Sequence, residues 1–350
     1  MAGLLKGDSV LVSDQREASQ LYNKGNYGYP MSGGGLELDL IEAAYLLESG
    51  RMKILHDEEE ISFRSLFRHA AANEEDFDIR YLVYRDMRSR GFVVKLEHGD
   101  FDLAVYPRGK SVKNSRPIYL VSSASERSAF DIELFRRQLQ SPLMRDKELL
   151  YAVVDEEGDL THYAVTFLDP QGSTPDRDDE SVQGVLVRDR VFVFDEAGAL
   201  QVHQNGHYGK MMDKILQLSL IESCHLLQKE RLEVSTVSND ERLSLEGLLL
   251  YSEEAQDEFS LRLKVFSELR ARSLLAKTGF KYGTHFRVYE KGPDESHARY
   301  LVHAVDKGQL TKWPEISRAV RLAHGVKKEI IFALISRDGV EHLSFRRVRP

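Results

Sequence analysis

The stretch FDIRYLVYRDMRSRGFVVK at residues 77–95 returns 182 positions later as FSLRLKVFSELRARSLLAK, residues 259–277. Self-similarity over such a distance governs every later reading, because a repeated segment marks a repeated structural unit. Further matches extend outward in both directions. NYGYP and LIEAAYLLESGRMKI within residues 26–54 correspond to HYGKM and LIESCHLLQKERLEV within 207–234. RPIYLV (116–121) corresponds to ARYLVH in register at Tyr119 and Tyr300, and DKELLYAVV (146–154) to KKEIIFALI (327–335), both at an offset of 181. The 350 residues therefore comprise two copies of one two-part unit.

Each copy begins with a short strand pair and amphipathic helices; LIEAAYLLESG carries apolar residues at helical spacing and stops on a Gly. A long helix follows, read over RYLVYRDMRSRG in the first copy and LKVFSELRARSLLAKTG in the second. Short apolar or alternating strands come next: FVVKLE, FDLAVYP, RPIYLVSS, LLYAVV and LTHYAVTF, answered by HFRVYE, ARYLVHAV, EIIFALI and EHLSFRRV. In the second copy the helix PEISRAVRLAHGVKK divides that series. The expected fold is α+β or mixed α/β: in each copy, a small N-terminal α/β domain and a C-terminal mixed-sheet domain. The boundaries are read as 1–90 and 91–168 for the first copy and 185–272 and 273–350 for the second. The linker at 169–184, within LDPQGSTPDRDDESVQG, combines Pro, Gly, Ser and Asp and reads as exposed and flexible.

Bulk composition narrows the function classes. With 42% hydrophobic and 30% charged residues the chain can build real cores. No stretch approaches the roughly 20 apolar residues of a membrane span, and MAGLLKGDSVLV lacks a signal peptide's apolar region. A cytoplasmic protein without membrane contact is expected. The single cysteine, Cys224, lies in the apolar helical pattern LQLSLIESCHLL, which excludes disulfide frameworks and reads as core. The net charge of −8 is unevenly spread: residues 260–350 hold 19 Lys and Arg against 9 Asp and Glu, so +10 lies there and −18 in the remainder. That asymmetry fits a localised polyanion site on an acidic scaffold, and equally a solvated basic face.

Duplicated units retain what packing requires, so side chains that are reactive in only one copy point to function. Tyr289 ends the strand HFRVY, His297 opens HARYLV, and Lys328 stands where RAVRLAHGVKK meets EIIFAL. The first copy has Tyr106, Arg116 and Lys147 at the matched positions, and Gln140 in place of Arg321. A Tyr, a His and a Lys without clustered carboxylates suit metal-free phosphodiester cleavage. One group takes the proton of a ribose 2′-hydroxyl, another protonates the leaving 5′-oxygen, and a cation stabilises the phosphorane. Such chemistry leaves a 2′,3′-cyclic phosphate and a 5′-hydroxyl, and needs no cofactor.

GFKYGTHFRVYEKG, SHARYLVH and RAVRLAHGVKKEIIFA resemble the catalytic domain of archaeal tRNA-splicing endonucleases, and LYNKGNYGYP…LELDLIEAAYLLESGRM with RYLVYRDMRSRG resembles their N-terminal domain. The resemblance covers nearly the whole chain, in the duplicated form that works as a homodimer. It implies a restriction-endonuclease-like C-terminal sheet, active in the second copy and degenerate in the first. It also implies Tyr289 as general base, His297 as general acid and Lys328 as transition-state cation. The sequence departs from the family in having Ser-His-Ala where Glu-His-Ser is usual, and in a short loop between Tyr289 and His297. Free tyrosine has a pKa near 10, so a basic role for Tyr289 calls for neighbouring cations such as Lys328.

The family cuts precursor tRNA at a bulge-helix-bulge, and guanidinium planes can sandwich a bulged base. By resemblance Arg321 matches one clamp arginine; the second falls in the terminal FRRVRP, at Arg347 or alternatively Arg346. The first copy keeps an acidic turn, Asp155, Glu156, Glu157 and Asp159, opposite SRDGV (336–340) in the second; any solvated hairpin can carry such residues, but the resemblance implies that this turn docks into a basic cleft of a partner subunit.

Other readings compete. His285, His297 and His303 are spaced by 12 and 6 on separate strands, which matches no zinc pattern. His324 reads as a helix-packing residue and Trp313 as core. MSGGGLEL (31–38) lacks the Lys-Ser/Thr of a phosphate loop. One rival function is a non-catalytic RNA-binding scaffold, against which stands the joint presence of Tyr289, His297, Lys328 and Arg321 in one copy. A metal-dependent nuclease would need an Asp and Glu-x-Lys arrangement that the second copy lacks.

Overall fold

The computed structural model describes residues 1–176, 180–237, 241–306, 311–336 and 339–350. The chain forms two compact units. The first comprises Met1–Thr166 with Leu310–Ile316 and Arg346–Pro350; the second comprises Phe167–Gln309 with Ser317–Phe345. Both contain the same series of strands and helices, so the duplication seen at residues 77–95 and 259–277 is structural. Among the described residues no helix is long and apolar enough to cross a membrane.

In the first unit the N-terminal sheet runs, edge to edge, Tyr29–Pro30, Leu36–Asp39, Ser9–Val12, Ala2–Lys6, Lys53–His56 and Glu59–Ile61. In the second unit the same order is Lys210–Met212, Ile215–Ser219, Arg190–Val193, Val182–Val187, Leu232–Thr236 and Arg242–Leu243. Each sheet packs on the helix that LIEAAYLLE or LIESCHLLQ forms, Leu40–Glu48 and Leu220–Gln228. Their apolar residues face the sheet and the following helices, and Cys224 is fully buried, as its apolar setting implied. The second helix starts with a capping box: Ser219 accepts from the Glu222 N–H while Glu222 accepts from the Ser219 N–H, worth about 1 kcal/mol.

The long helices of the founding match are Phe77–Ser89 and Phe259–Ala271. The reading of one helix through residue 279 fails at Ser273, which adopts φ 60°. The chain turns there, and Leu275–Thr278 becomes an edge strand paired antiparallel with Phe286–Tyr289. Leu-Leu-Ala fits either period, and the turn decides between them. The second sheet continues through Tyr300–Asp306, Glu329–Ser336 and Gly339–Val348. In the first unit the equivalent strands are Val93–Leu96, Leu103–Tyr106, Tyr119–Ser125, Glu148–Val154 and Leu160–Leu168. The parallel pair at the centre of each sheet requires a crossover, supplied by Ile132–Gln140 in one and Trp313–Gly325 in the other. Trp313 is buried, its ring 5.3–5.9 Å from those of Tyr151, Phe135 and Tyr163 in the first unit's core and stacked on the last.

An ionic latch within each unit joins a helix of the N-terminal domain to a strand that follows the long helix. In the first, Lys95 Nζ donates to the Gly28 carbonyl (2.8 Å) and to Glu42 (3.2 Å), and Glu42 accepts from the Gly28 N–H (2.8 Å). In the second, Lys277 Nζ donates to Glu222 (2.8 Å) and to the Gly209 carbonyl (3.2 Å), and Glu222 accepts from the Gly209 N–H (2.9 Å). Gly209 has φ +62°, and a Cβ there would lie 2.5 Å from the Gln217 carbonyl, so only glycine fits.

The described part of the linker is tied to the second unit rather than free. Gly172 and Thr174 donate their backbone N–H groups to the carbonyls of Arg272 and Ser273, and Ser173 donates to that of Glu290. Asp176 accepts from the Tyr208 hydroxyl at 2.7 Å, lies 3.3 Å from His225 Nε2 and 3.6 Å from Arg231 Nη1, and pairs with Arg270. Residues 177–179 lie outside the described residues.

Candidate active site

Tyr289, His297 and Lys328 all belong to the second unit. Tyr289 is the last residue of the strand Phe286–Tyr289 and is only 8% exposed, packed with Leu275 and Ala298 on the sheet face away from the main core. Its strand partner is Leu275, which places both side chains on one face. Val288 pairs with Tyr300, and the Arg299 N–H donates to the Val288 carbonyl, so residues 297–299 run beside the end of the Tyr289 strand.

Lys328 comes from the other side. The helix ending at Gly325 closes with the Lys328 N–H donating to the Ala323 carbonyl, and Lys327 adopts φ 55°. That turn aims the side chain back along the sheet, where Nζ donates to the Ala298 carbonyl at 2.7 Å and lies 5.9 Å from the Tyr282 ring. Ala298 is thus the meeting point: Tyr289 packs on its side chain, Lys328 holds its carbonyl, and His297 precedes it. His297 is exposed. Among the described residues neither its ring nor the Tyr289 hydroxyl makes a hydrogen bond or ion pair, so both remain available to a ligand. The Arg287 guanidinium lies 5.8 Å from the Tyr289 ring, adding a second cation to its surroundings.

A carboxylate network borders the group. Glu290 accepts from Arg299 Nη1 at 2.7 Å and from the Tyr300 hydroxyl at 2.9 Å, and Arg299 Nε lies 3.2 Å from Glu329. Burial and the Glu290 charge hold the Tyr300 hydroxyl far above the usual tyrosine range, so Tyr300 stays neutral.

The first copy lacks this convergence. Arg116 is exposed at the position of His297, and Lys147 Nζ turns onto the carbonyl of Leu143 in its own loop. Burial and Glu97 push the Tyr106 hydroxyl up.

The remaining sequence candidates divide. Arg321 is exposed on the helix seven residues before Lys328, with no ion pair among the described residues. Arg346 and Arg347 fall in the segment counted with the first unit: Arg346 lies 3.8 Å from Glu148, and Arg347 lines a cavity of about 120 Å³ with Arg90 and His162. His324 is exposed, which corrects its reading as a packing residue: it sits on the outer face of its helix. The acidic turn is exposed, but one of its members serves the loop itself and another is paired outside it. Asp155 accepts from the N–H groups of Glu157 and Asp159, and Glu156 pairs with Arg127. Its counterpart, SRDGV, is partly outside the described residues at 337–338. His285 and His303 have ring centroids 5.4 Å apart, and burial lowers both, His303 to about 4. Among the described residues no three His, Cys, Asp or Glu side chains are grouped to hold a metal ion. Sequence reasoning passed over Tyr282 and Arg287, which approach Lys328 and Tyr289; both stood in the quoted strand region, but nothing local marks which residues meet.

Comparison with known proteins agrees with the duplication. The family model for the tRNA intron endonuclease catalytic C-terminal domain matches residues 77–162 and again 259–342, and that for the N-terminal domain matches 1–67 and 182–249. A tRNA-splicing endonuclease of Methanococcoides burtonii is 35% identical over 348 residues, covering 98% of each chain. One from Methanosarcina acetivorans is 36% identical over 350 residues (99% of each), and one from Haloferax volcanii 30% over 371 residues (100% of each). With both domain types matched twice in order, and relatives aligned along the whole length, this chain belongs to the tRNA intron endonuclease family.

Proposed function

We propose that this protein is an endonuclease that cuts precursor tRNA at its intron boundaries by metal-independent transesterification, with Tyr289, His297 and Lys328 as the reacting groups. The carrying observation is the convergence of Tyr289 and Lys328 on Ala298, next to the exposed His297. Tyr289 takes the proton of the ribose 2′-hydroxyl, whose oxygen attacks the adjacent phosphorus. The bond from phosphorus to the 5′-oxygen breaks, and His297 supplies the proton that this oxygen acquires. Lys328 offsets the extra negative charge of the phosphorane. The products are a 2′,3′-cyclic phosphate and a 5′-hydroxyl.

The finer readings accompany that proposal. A bulge-helix-bulge is the substrate shape, and Arg321 holds a bulged base by stacking, with Arg347 or Arg346 completing the clamp. The chain works as a homodimer in the cytoplasm, the acidic turn of Glu157 and Asp159 reaching a basic surface of the second copy.

The test is cleavage of a labelled bulge-helix-bulge RNA in EDTA by the native protein and by His297→Ala, with analysis of the ends. Cyclic phosphate and 5′-hydroxyl ends, with a loss of about a hundredfold or more in the variant, support the assignment. Activity that returns only with Mg²⁺ would overturn it. Tight binding of RNA that stays intact would favour a scaffold.

A further inference from the structure

Within the second unit a cavity of about 410 Å³ opens between the helix Phe259–Ala271 and the edge strands Lys210–Met212 and Leu275–Thr278. Its charged lining consists of Lys210, Glu222, Arg262, Lys277, His285 and Arg287. We infer that this cavity binds an oxyanion of the phosphate class, held by Lys210, Arg262 and Arg287. Its volume falls in the range of about 300–1,000 Å³ typical of small-ligand sites.

The argument comes from the duplicate. Both units keep the latch, Glu42 with Lys95 and Glu222 with Lys277, and both keep the arginine, Arg80 and Arg262. Almost everything around those groups differs in charge. In the first unit Arg80 is answered by carboxylates: Nη1 lies 3.1 Å from Glu74 and Nε lies 3.3 Å from Asp102. Gln256 stands at the place of Glu74, capping the equivalent helix, and Arg262 donates to its neutral amide oxygen. His285 stands at the place of Asp102, and burial and the Arg262 charge lower its pKa. Lys95 pairs across the strands with Ala104, whereas Lys277 pairs with Arg287. Glu37 and Asp39 become Gln217 and Ser219. Finally, Tyr29 covers the first unit's lysine, its ring 4.2 Å from Lys95 Nζ and its hydroxyl donating to the Leu96 carbonyl; Lys210 replaces it, removing that cover and adding a cation.

Four carboxylates have thus been lost and two cations gained around an otherwise retained framework. The framework's own acid is already satisfied: Glu222 accepts from Lys277, Gly209 and Ser219. Burial pushes Glu42 and Glu222 up alike. It prevails in Glu42, where Asp39 adds to it, but Lys277 and the backbone donors hold Glu222 below its ordinary value. Two other acids are nearby: Glu258 faces His285 at 3.7 Å, and the charges of Glu258 and Asp257 both act on Arg262 without outweighing its burial. The Nε groups of Arg262 and Arg287, like that of Arg80, are buried without a hydrogen-bond partner; Arg80 Nε has the Asp102 carboxylate 3.3 Å away, whereas Arg287 makes no ion pair among the described residues. Buried guanidinium donors left unanswered are costly, and packing alone would not favour introducing one opposite a retained lysine. A tetrahedral oxyanion supplies acceptors for several such donors at once.

The phosphate has two possible sources, a backbone phosphate of bound RNA or a free phosphorylated molecule. Isothermal titration of the full chain with sodium phosphate, against sodium chloride at equal ionic strength, reads the site directly. The native protein is expected to bind saturably, and Lys210→Tyr with Gln256→Glu, which restores the first unit's residues, to bind at least tenfold more weakly. Because Gln256→Glu recreates the pair of Glu74 with Arg80, the fold should tolerate it. If circular dichroism shows otherwise, Arg287→Ala, which restores Ala104, carries the same test. Phosphate that competes with precursor tRNA, together with tenfold weaker RNA binding by the variant, identifies the backbone as source. Phosphate binding without competition, and unchanged RNA affinity, identifies a free ligand. Absence of saturable phosphate binding by the native protein, with RNA affinity unaltered in the variants, overturns the inference.

Discussion

Replacing Asp176 by Asn tests whether the linker holds the second unit together. Asp176 is the acid shared by three almost fully buried partners, Arg270, Arg231 and His225, whose side chains are 3%, 5% and 1% exposed. The amide still accepts from the Tyr208 hydroxyl, so the substitution removes charge with little change of shape. Breaking one partner out of a buried ion pair costs about 3–5 kcal/mol. Since Asp176 itself is 23% exposed, the expected loss is at the lower end, about 3 kcal/mol. With a urea dependence of about 3 kcal/mol per M, the midpoint of the second unit's transition falls by about 1 M.

The pH dependence has a definite sign. Burial opposes ionisation of Asp176, but the His225 hydrogen bond and the Arg270 charge outweigh it and hold the carboxyl well below its usual range. A depressed folded pKa contributes stability that is full above the unfolded value, near 4, and is lost as pH falls towards the folded value. The gap between native protein and Asn variant should therefore be complete at pH 7 and narrow by about 1 kcal/mol at pH 3. A loss below about 0.5 kcal/mol at pH 7, or a gap that does not change with pH, would refute the reasoning.

Two further outcomes follow from the site and the latch. Lys328→Met should lower the cleavage rate constant by about a hundredfold, whereas Lys147→Met, whose ammonium is turned onto its own loop, should leave it within about twofold; single-turnover kinetics on both variants decide this. Gly209→Ala should destabilise the second unit by about 2 kcal/mol or more, because the new Cβ meets the Gln217 carbonyl at a left-handed φ; a denaturation midpoint equal to the native one would contradict that packing.

Much of the architecture was legible because duplication makes a sequence its own comparison. Matching residues 77–95 with 259–277 located the long helices, and the alternation in FVVKLE, HFRVYE and ARYLVHAV located strands, since side-chain period is a local property. The misread segment was SLLAKTG: its apolar spacing fits helix and strand, and the left-handed turn at Ser273 carried no local mark. The linker's hydrogen bonds were hidden from the sequence for a related reason. Pro, Gly, Ser and Asp describe a loop, but Asp176 finds its partners 32 to 94 residues away.

The same division runs through the candidate site. Sequence alone determined that there are two units, that Tyr289, His297, Lys328 and Arg321 stand together only in the second, and that positive charge gathers there. Only the tertiary structure decided that Tyr289 and Lys328 converge on Ala298, that Lys147 is spent on its own loop, and that the lysine and arginine surrounded by carboxylates in the first unit line, in the second, a cavity with two added cations and neutral residues in place of those acids. Residue type and spacing are written along the chain; hydrogen bonds and charge pairs depend on distances across it, which exist only once helix, turn and sheet have brought remote residues within a few ångströms.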